Sequence, residues 1–425
     1  MRVAGLLLAL LSVTAPAVAA ERLVPAEPGA LISAVAEAEA GHVLRLAPGE
    51  HDGPLVIDRP LTLEGAGQAA VTGQGTGSVI TVAAPDVTLR GLTITGSGSS
   101  HETIDAGVSL GKAATGAVVE ANLLQGNLYG VDIHGAKKAR VAGNLIEGRR
   151  DHRVNARGNG VYVWNAPGAV VEGNDIRWGR DGIFVNTSRK NVFRNNRFRE
   201  LRFAIHYMYA DDSEVSGNLS IGNDLGYALM FSKRLKVVGN VSIDDADHGV
   251  MLNYANSSVI EGNLVRGGEQ CAFLYNAHKN RFENNRFEGC AIGIHFTAGS
   301  ERNEITGNAF LGNRTQVKYV GSRWLDWSAG GRGNHWSDFA AYDVDGDGIA
   351  DAPYRPNDTM DHILWTQPAA KLLLGAPAVQ LVRWAQSSFP ALLPGGVIDS
   401  RPLMRPVEIA VPDWPEGTQG PENPS

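Results

Sequence analysis

A short stretch in the middle of the sequence combines two side chains that bind soft metal ions. In RFAIHYMYADD, residues 202–212, His206 and Met208 are two residues apart in an apolar, strand-like run. Alternate residues of a strand point to the same face, so both side chains are expected on one surface. Imidazole and thioether ligands together favour Cu(I) over Mg²⁺ or Ca²⁺, and Met ligands hold it weakly and exchangeably. The stretch therefore predicts transient copper binding if further ligands lie beside it.

Similar strand-like segments recur through the chain, each after a Gly or Ala residue. They read GVDIH, GVYVW, GIFVN, AIHYM, ALMFS, GVMLN, AFLYN and GIHFT. Strand alternation, counted from that small residue, predicts an outward column of Asp132, Tyr162, Phe184, His206, Met230, Met251, Leu274 and His295. The same count places Leu229 with Phe231, and Phe273 with Tyr275, in the core.

Met230 and Met251 are therefore expected on the two segments that follow His206. His206, Met208, Met230 and Met251 are the candidate copper ligands. Exposed apolar stripes usually mark protein partners, and aromatic and Leu residues flank this cluster. A metal-free docking surface is therefore the alternative interpretation.

A second candidate metal site is an acidic stretch near residue 345. In DVDGDGIAD, carboxylates alternate with other residues and a Gly stands where calcium loops turn sharply. The candidate ligands are Asp343, Asp345, Asp347 and Asp351. The distal Glu of an EF-hand is missing. The stretch predicts a structural calcium site that pins the end of the domain, with an ordinary acidic turn as the alternative.

An internal repeat predicts the element that positions these residues. Asn recurs at 122, 144, 174, 196, 218, 240, 263, 285 and 308, in steps of 22 or 23 residues apart from one step of 30. The residue three positions before each Asn is Val, Ile or Phe. Short β-branched runs separated by Gly and Asn do not fit a leucine-rich frame. They predict an all-β, right-handed parallel β-helix with a continuous apolar core and a ladder of stacked Asn side chains.

The long step inserts EGRRDHRVNARGNG, a loop between Glu147 and Gly160. Its four Arg residues and one His suit either an anion or partner site or a solvated loop. The formal net charge of the whole chain is -7, which argues against nucleic acid as a partner.

The two ends of the chain differ from the repeat. Residues 1–20 contain a short apolar run and a small-residue cleavage pattern, which predicts a secretory signal peptide and a periplasmic location. We expect the β-helix over 21–320, a capping segment over 321–364, and a C-terminal tail over 365–425. The tail is predicted to form two short amphipathic helices broken by Pro377 and Pro390. It would dock on a membrane partner or, alternatively, pack back on the stack.

The two cysteines, Cys271 and Cys290, precede strand-like segments of neighbouring repeats. Their places in the repeat are offset, which favours a disulfide or a pair of buried thiols over a copper site. His248, His278 and His362 are isolated in the sequence and are interpreted as structural or solvent-facing.

Several stretches together resemble the NosD family, the periplasmic factors required to mature nitrous oxide reductase. The resemblance lies in AIHYMYADD, AIGIHFTAGSERNEITGNAFLGNRTQVKYVG, GRGNHWSDFAAYDVDGDGIADAPYRPND and PGGVIDSRPLM. It implies a non-enzymatic component of an ABC-type complex that serves copper-centre assembly. The implied partners are a membrane subunit and its ATPase, a copper-chaperone lipoprotein, and the apo reductase. On this view the tail holds the protein on the membrane subunit.

A polysaccharide lyase or epimerase is the enzymatic alternative, because β-helices also serve as scaffolds for such enzymes. That chemistry needs clustered carboxylates with Arg or Lys beside a uronate. The outward column contains Asp132 as its single carboxylate, so the sequence favours the copper interpretation.

Overall fold

The computed structural model describes residues 20–150, 153–357, 363, 367, 369, 376–388 and 395–411. Short strands stack in parallel, coil upon coil, in a right-handed β-helix, which confirms the predicted fold class. In the regular coils each turn of about 22 residues supplies three short strands, and each strand pairs with its equivalent in the next coil.

In the described part of the chain, the strands, numbered in chain order, form two large sheets and one small one. The first large sheet, which covers two sides of the coil, contains β1 (Glu21–Val24), β2 (His42–Leu46), β3 (Gly49–Asp52), β5 (Leu61–Thr72), β7 (Thr88–Thr95), β9 (Val118–Glu120), β10 (Leu123–Gln125), β12 (Arg140–Ala142), β13 (Leu145–Glu147), β15 (Val170–Glu172), β16 (Asp175–Arg177), β18 (Val192–Arg194), β19 (Arg197–Arg199), β21 (Glu214–Ser216), β22 (Leu219–Ile221), β24 (Lys236–Val238), β25 (Val241–Ile243), β27 (Val259–Glu261), β28 (Leu264–Arg266), β30 (Arg281–Glu283), β31 (Arg286–Glu288), β33 (Glu304–Thr306), β34 (Ala309–Leu311) and β37 (His335–Trp336).

The second large sheet, called the site sheet below, carries the candidate copper ligands. It contains β4 (Leu55–Ile57), β6 (Ile80–Val82), β8 (Ala106–Leu110), β11 (Tyr129–His134), β14 (Val161–Trp164), β17 (Asp181–Arg189), β20 (Phe203–Asp211), β23 (Leu225–Met230), β26 (His248–Asn253), β29 (Gln270–Tyr275), β32 (Ile292–Phe296) and β35 (Thr315–Tyr319). The small sheet pairs β36 (Trp324–Asp326) with β38 (Gly396–Ile398). The helices whose bounds fall in the described residues are α1 (Ala30–Glu37), a 3-10 turn at Val154–Ala156, and α2 (Pro377–Ser388).

The predicted apolar column and Asn ladder are both confirmed. The column from Val119 to Ile305 is at most 1% exposed. Asn218 shows how each ladder position works. Its Oδ1 accepts the backbone N–H of Asn196 at 3.0 Å, and its Nδ2 donates to the Phe193 carbonyl at 2.8 Å. The amide therefore satisfies turn groups that would otherwise be buried without partners. The ladder runs from Asn122 one step beyond the prediction, to Asn334.

The C-terminal end of the stack is closed by residues that are distant in sequence. Trp336 stacks on Phe310, with ring centroids 4.4 Å apart. Its indole N–H donates to the buried carboxylate of Asp399 at 2.8 Å, and that carboxylate also accepts the backbone N–H of Asn334 at 2.6 Å. Residues 396–404 of the predicted tail therefore pack on the stack, which was the alternative for this segment.

The other tail expectation was a helix break at Pro377. The structure agrees with it, because α2 begins at Pro377 and ends at Ser388, before Pro390. A proline fits the first turn of a helix, where its missing N–H needs no partner. Residues 1–19 of the predicted signal peptide lie outside the described residues, as do Pro390 and most of the first predicted tail helix. No helix in the described part of the chain is long and apolar enough to cross a membrane.

Cys271 and Cys290 form a disulfide, with their Cα atoms 5.7 Å apart. This confirms the structural interpretation of the two cysteines. Their sulfur atoms are thereby not thiolate ligands for copper.

Candidate functional site

The outer face of the site sheet carries two adjacent columns of side chains. Strand pairing gives the first column as Asp132, Tyr162, Phe184, His206, Ala228, Met251, Phe273, His295 and Lys318. The second column is His134, Trp164, Asn186, Met208, Met230, Asn253 and Tyr275.

Met230 was predicted in the column of His206, and this is wrong. Met230 pairs with Met208, and Ala228 occupies the place beside His206. The small residue from which the alternation must be counted is Gly226, not Ala228. The predicted outward position was therefore two residues too far along the chain. The shift leaves Met230 on the outer face because the side-chain period of a strand is two.

A shift of one residue has a larger consequence in β29. There Cys271 occupies the place that Gly takes in neighbouring coils, so Ala272 pairs with Val250 on the core side. Phe273 and Tyr275, predicted to be buried, lie outward, and Leu274, predicted outward, is fully buried. A one-residue slip moves every side chain of a strand to the opposite face. Phe231 is also only half-buried, because it lies in the turn after β23.

The four candidate copper ligands surround Ala228. His206 and Met251 flank it on the two neighbouring strands, Met230 follows it on its own strand, and Met208 lies beside Met230. His206 and Met251 are thus two strand spacings apart, about 10 Å between backbones. The methyl group of Ala228 leaves the space between them to long, flexible side chains. Although Ala228 points outward, it has no exposed surface, and all four surrounding residues are partly exposed, with the His206 side chain 12% exposed.

The imidazole of His206 is oriented by a buried carboxylate. Its Nδ1 lies 3.1 Å from Oδ2 of Asp181, whose side chain is 2% exposed. Arg202 binds the same carboxylate with two hydrogen bonds, of 2.8 and 2.7 Å. Burial raises the pKa of Asp181, but the hydrogen bonds from His206 and Arg202 outweigh it and hold the pKa below its ordinary value. An ionised Asp181 fixes the proton on Nδ1 and leaves Nε2 as the free ligand atom.

Asp181 and Arg202 were not among the sequence candidates. Asp181 lies 25 residues before His206, at the start of the preceding strand of the site sheet. The same interval separates Gln270 from His295, whose Nδ1 lies 3.0 Å from Oε1 of Gln270. The repeated interval is a sequence signal that could have identified both positioning residues.

Aromatic rings pack against His206 from its own strand and from the strand of the preceding coil. The Phe184 ring centroid is 4.8 Å from the imidazole, and Phe203 meets it edge-on at 5.1 Å. Tyr162 stacks on Phe184 at 5.4 Å. These rings exclude water beside His206, so the exposed approach to the cluster is from the thioether side.

Comparison with known proteins identifies the family to which the chain belongs. The family model described as periplasmic copper-binding protein (NosD) matches residues 142–341. A probable ABC transporter binding protein NosD from Pseudomonas aeruginosa is 42% identical over 374 residues, covering 85% of this chain and 87% of that protein. The chain belongs to the NosD family. A second NosD, from Stutzerimonas stutzeri, is 38% identical over 390 residues and covers 88% of this chain and 89% of the relative.

Solved structures agree on the architecture alone. The surface adhesin PfbA of Streptococcus pneumoniae matches with a TM-score of 0.54 at 10% identity, covering 76% of this chain and 91% of PfbA. The catalytic unit of a GH87 alpha-1,3-glucanase from Streptomyces thermodiastaticus gives 0.51 at 15% identity, covering 74% of this chain and 71% of that unit. Such low identities indicate a shared fold and carry no functional conclusion.

The NosD family match includes all four candidate copper ligands and Asp181, but it ends before the acidic loop. In that loop, carboxylate oxygens of Asp343, Asp345 and Asp347 lie within 4.8 Å of one another. Asp343 accepts the backbone N–H groups of Gly346 and Gly348. Asp351 lies outside this group of three, and its carboxylate accepts the Val344 N–H at 2.7 Å.

His248 and His295 lie near each other on this NosD-family chain, although the sequence suggested that His248 is isolated. The ring of Phe273 contacts both, with its centroid 5.1 Å from that of His248 and 5.0 Å from that of His295. Burial, with smaller contributions from Lys318 and His248, lowers the pKa of His295 to about 4. Burial also lowers the pKa of His248. The His295 imidazole is therefore uncharged at neutral pH.

Asp132 is nearly buried at the N-terminal end of the first column, and burial raises its pKa to about 7. Its neighbours in the column are Ser109 and Tyr162. A partly protonated carboxyl group that is the single carboxylate of its column does not match the clustered, ionised carboxylates that uronate chemistry needs. The enzymatic alternative is therefore not favoured by this face.

Part of the Arg-rich loop is structural. Arg149 donates to the carbonyl oxygens of Ser97, Gly98 and Gly126. The guanidinium of Arg150 lies 3.2 Å above the Trp178 ring. Arg149 therefore anchors the start of the inserted loop on earlier coils, which leaves it unsuited to bind a free anion.

Proposed function

We propose that this protein is a periplasmic accessory factor that receives or presents Cu(I) during assembly of the copper centres of nitrous oxide reductase. The observation that carries the proposal is the grouping of His206, Met208, Met230 and Met251 around Ala228 on the outer face of the site sheet. Membership of a family described as periplasmic copper-binding supports the same metal. In this proposal the protein is not an enzyme.

Thioethers and an imidazole suit a cargo ion better than a permanent cofactor. Met ligands are neutral, soft and flexible, so they hold Cu(I) without competing protons and release it readily. His206 supplies the stronger ligand atom, and Asp181 keeps that atom available by holding the other ring nitrogen. The cluster is partly exposed, so a second protein could contact its side chains directly.

The proposed partners belong to an ABC-type complex, in line with the relatives named probable ABC transporter binding proteins. They are a membrane subunit with its ATPase, a copper-chaperone lipoprotein that supplies Cu(I), and the apo reductase that accepts it. A signal peptide over residues 1–20 would direct the protein to the periplasm. The segment between the cap and residue 395, which includes α2, would hold it at the membrane subunit. Trp384 of α2 is 62% exposed, which suits such a contact.

The proposal is tested by titrating Cu(I) into the mature chain, from Glu21 to the C terminus, against a competing chromophoric chelator. Truncation before the tail is avoided because Asp399 and β38 complete the cap. The test variant changes Met208, Met230 and Met251 to Leu, which keeps apolar volume and removes sulfur.

The matched control is Met404→Leu, in the C-terminal segment that packs on the cap. We expect wild type and control to bind Cu(I) equally and the triple variant to bind at least about tenfold more weakly. Equal binding by all three proteins would reject the copper site. The face would then be a metal-free docking surface.

We also propose that the loop of Asp343, Asp345 and Asp347 binds calcium. The support is the convergence of three carboxylates around a Gly turn, the chemistry that Ca²⁺ prefers. Arg401, which follows β38, reaches Asp347 at 3.7 Å, so the loop contacts the segment that closes the stack. A bound ion would therefore stabilise the cap.

A further inference from the structure

A groove runs along one edge of the site sheet, where the chain turns after the second column. Its larger part is a cavity of about 780 Å³ lined by Trp164, Thr187 and Tyr209 among others. A smaller part, of about 360 Å³, continues past Tyr209 to Phe231 and Tyr254. We call the two parts together the basic–aromatic groove.

The groove carries unmatched positive charge. Lys112, Lys137 and Arg189 line it, and none of them has an ion-pair partner among the residues that the structure describes. Its acidic residue, Asp211, is already paired with Lys233 at 3.6 Å. A local excess of cations on a chain with a net charge of -7 marks a surface suited to an acidic partner.

The aromatic residues of the groove occupy an unfavourable backbone position. Tyr209, Phe231 and Tyr254 have φ values of +58°, +49° and +52°. The equivalent positions in neighbouring coils hold Asn165 at +45°, Thr187 at +53° and Asn276 at +46°. Left-handed backbone is unfavourable for most residues, whereas Asn adopts it more readily.

These rings nevertheless remain on the surface. Tyr209 is 53% exposed and Tyr254 is 43% exposed, with Phe231 stacked between them at 5.3 Å from each. The fold therefore keeps strained aromatic residues in three successive coils without burying them. Exposed apolar groups retained at such a cost indicate a contact surface.

We propose that the basic–aromatic groove binds an acidic, extended segment of a protein partner. Carboxylates of the segment would pair with Lys112, Lys137 and Arg189, while its apolar side chains would pack on the aromatic residues. A polysaccharide fits less well. Interplanar angles of 22° and 10° show that the three rings cover one another's faces, so few flat faces are left for sugar rings.

The groove adjoins the candidate copper cluster. Trp164, Asn186 and Met208 are successive members of the second column, so the groove wall at Trp164 is two coils from Met208. A partner held there would lie beside the thioethers. Binding of the segment does not rest on copper, however, and its test uses metal-free protein.

The test measures fluorescence anisotropy of a labelled acidic peptide built from Glu with interspersed Phe residues. The same peptide with Lys in place of Glu, and an unlabelled oligouronate competitor, distinguish the ligand classes. The charge variant carries Lys112→Glu, Lys137→Glu and Arg189→Glu. Its control is Lys279→Glu, a surface cation in a later coil outside the groove.

We expect the acidic peptide to bind wild type and the Lys279→Glu control alike, and the charge variant at least about tenfold more weakly, with weaker binding as salt rises. Equal binding of the Lys peptide, stronger binding of the oligouronate, or an unaffected charge variant would each overturn the proposal.

A second variant removes the rings without straining the backbone. Changing Tyr209, Phe231 and Tyr254 to Asn copies the residue found at Asn165 and Asn276. We expect loss of peptide binding with a melting temperature close to that of wild type and unchanged Cu(I) affinity. Retained peptide binding would overturn the proposal, and the separate copper titration keeps that result distinct from a failure of the copper site.

Discussion

The replacement Asp245→Asn should stabilise the β-helix at alkaline pH and not at acidic pH. Asp245 is fully buried in the turn between β25 and β26. Its Oδ1 accepts the backbone N–H of Asn223 at 2.8 Å, and its Oδ2 accepts the hydroxyl of Ser242 at 2.6 Å. Burial raises the pKa of Asp245 to about 6, although hydrogen bonds from Ser242 and Ser220 act in the opposite direction.

The magnitude follows from the difference between the pKa of about 6 in the folded chain and the ordinary value of 3.8. Each pKa unit corresponds to about 1.4 kcal/mol, so ionisation of the folded protein costs about 3 kcal/mol. A raised pKa in the folded state means that stability is highest below pH 3.8 and is lost as the pH rises through about 6.

An asparagine at position 245 keeps an oxygen that accepts the Asn223 backbone N–H, and it cannot ionise. The preceding coil already uses this solution, since Asn223 donates its Nδ2 to Ser220 at 2.8 Å. Loss of an acceptor for the Ser242 hydroxyl costs about 1 kcal/mol. The variant should therefore be more stable than wild type by about 2 kcal/mol at pH 8 and slightly less stable at pH 4.

Thermal and urea unfolding of both proteins across pH 4 to 8 measures this difference, with the range chosen to bracket a pKa of about 6. Ser242→Ala serves as a control, because it removes the hydroxyl donor and leaves the carboxylate. A difference in stability that stays constant with pH would refute the reasoning, since only an ionisable buried group gives the predicted crossover.

Three further predictions concern the site and the ends of the stack. Asp181→Asn should weaken Cu(I) affinity about tenfold, because it no longer holds Nδ1 of His206, and should have no further effect in a His206→Ala background. Replacing Cys271 and Cys290 by Ala should cost about 3 kcal/mol of unfolding free energy, because a closed loop is lost from the unfolded chain, with Cu(I) affinity unchanged in the chelator titration. Adding Ca²⁺ should raise the melting temperature of the EDTA-treated wild type in calorimetry; an equal rise in Asp345→Asn would contradict a calcium site in this loop.

The repeated features of the molecule could be predicted from the sequence. A residue that recurs every coil must occupy the same place in every coil, so the spacing of Asn218 and its equivalents predicts both the ladder and the buried residue three positions earlier. The outward position of His206 and Met208 follows equally from strand alternation. Family membership was also recognisable, because the motifs that carry the resemblance are contiguous.

The neighbours of a side chain across the coils were decided by the tertiary structure. Met230 lies beside Met208 because Gly226, and not Ala228, is the small residue equivalent to Ala204 in the preceding coil. Phe273 faces outward because Cys271 takes the place that a glycine has in neighbouring coils. The local sequence allows either Gly226 or Ala228 as the first residue of the repeated segment, so only the pairing of whole strands determines the register. Asp181 beside His206 and Asp399 beside Trp336 depend in the same way on stacking that brings distant residues together. The sequence by itself determined the repeat and the fold, while the tertiary structure decided the register of individual strands and which outward residues meet, because contacts between coils join residues that local patterns do not connect.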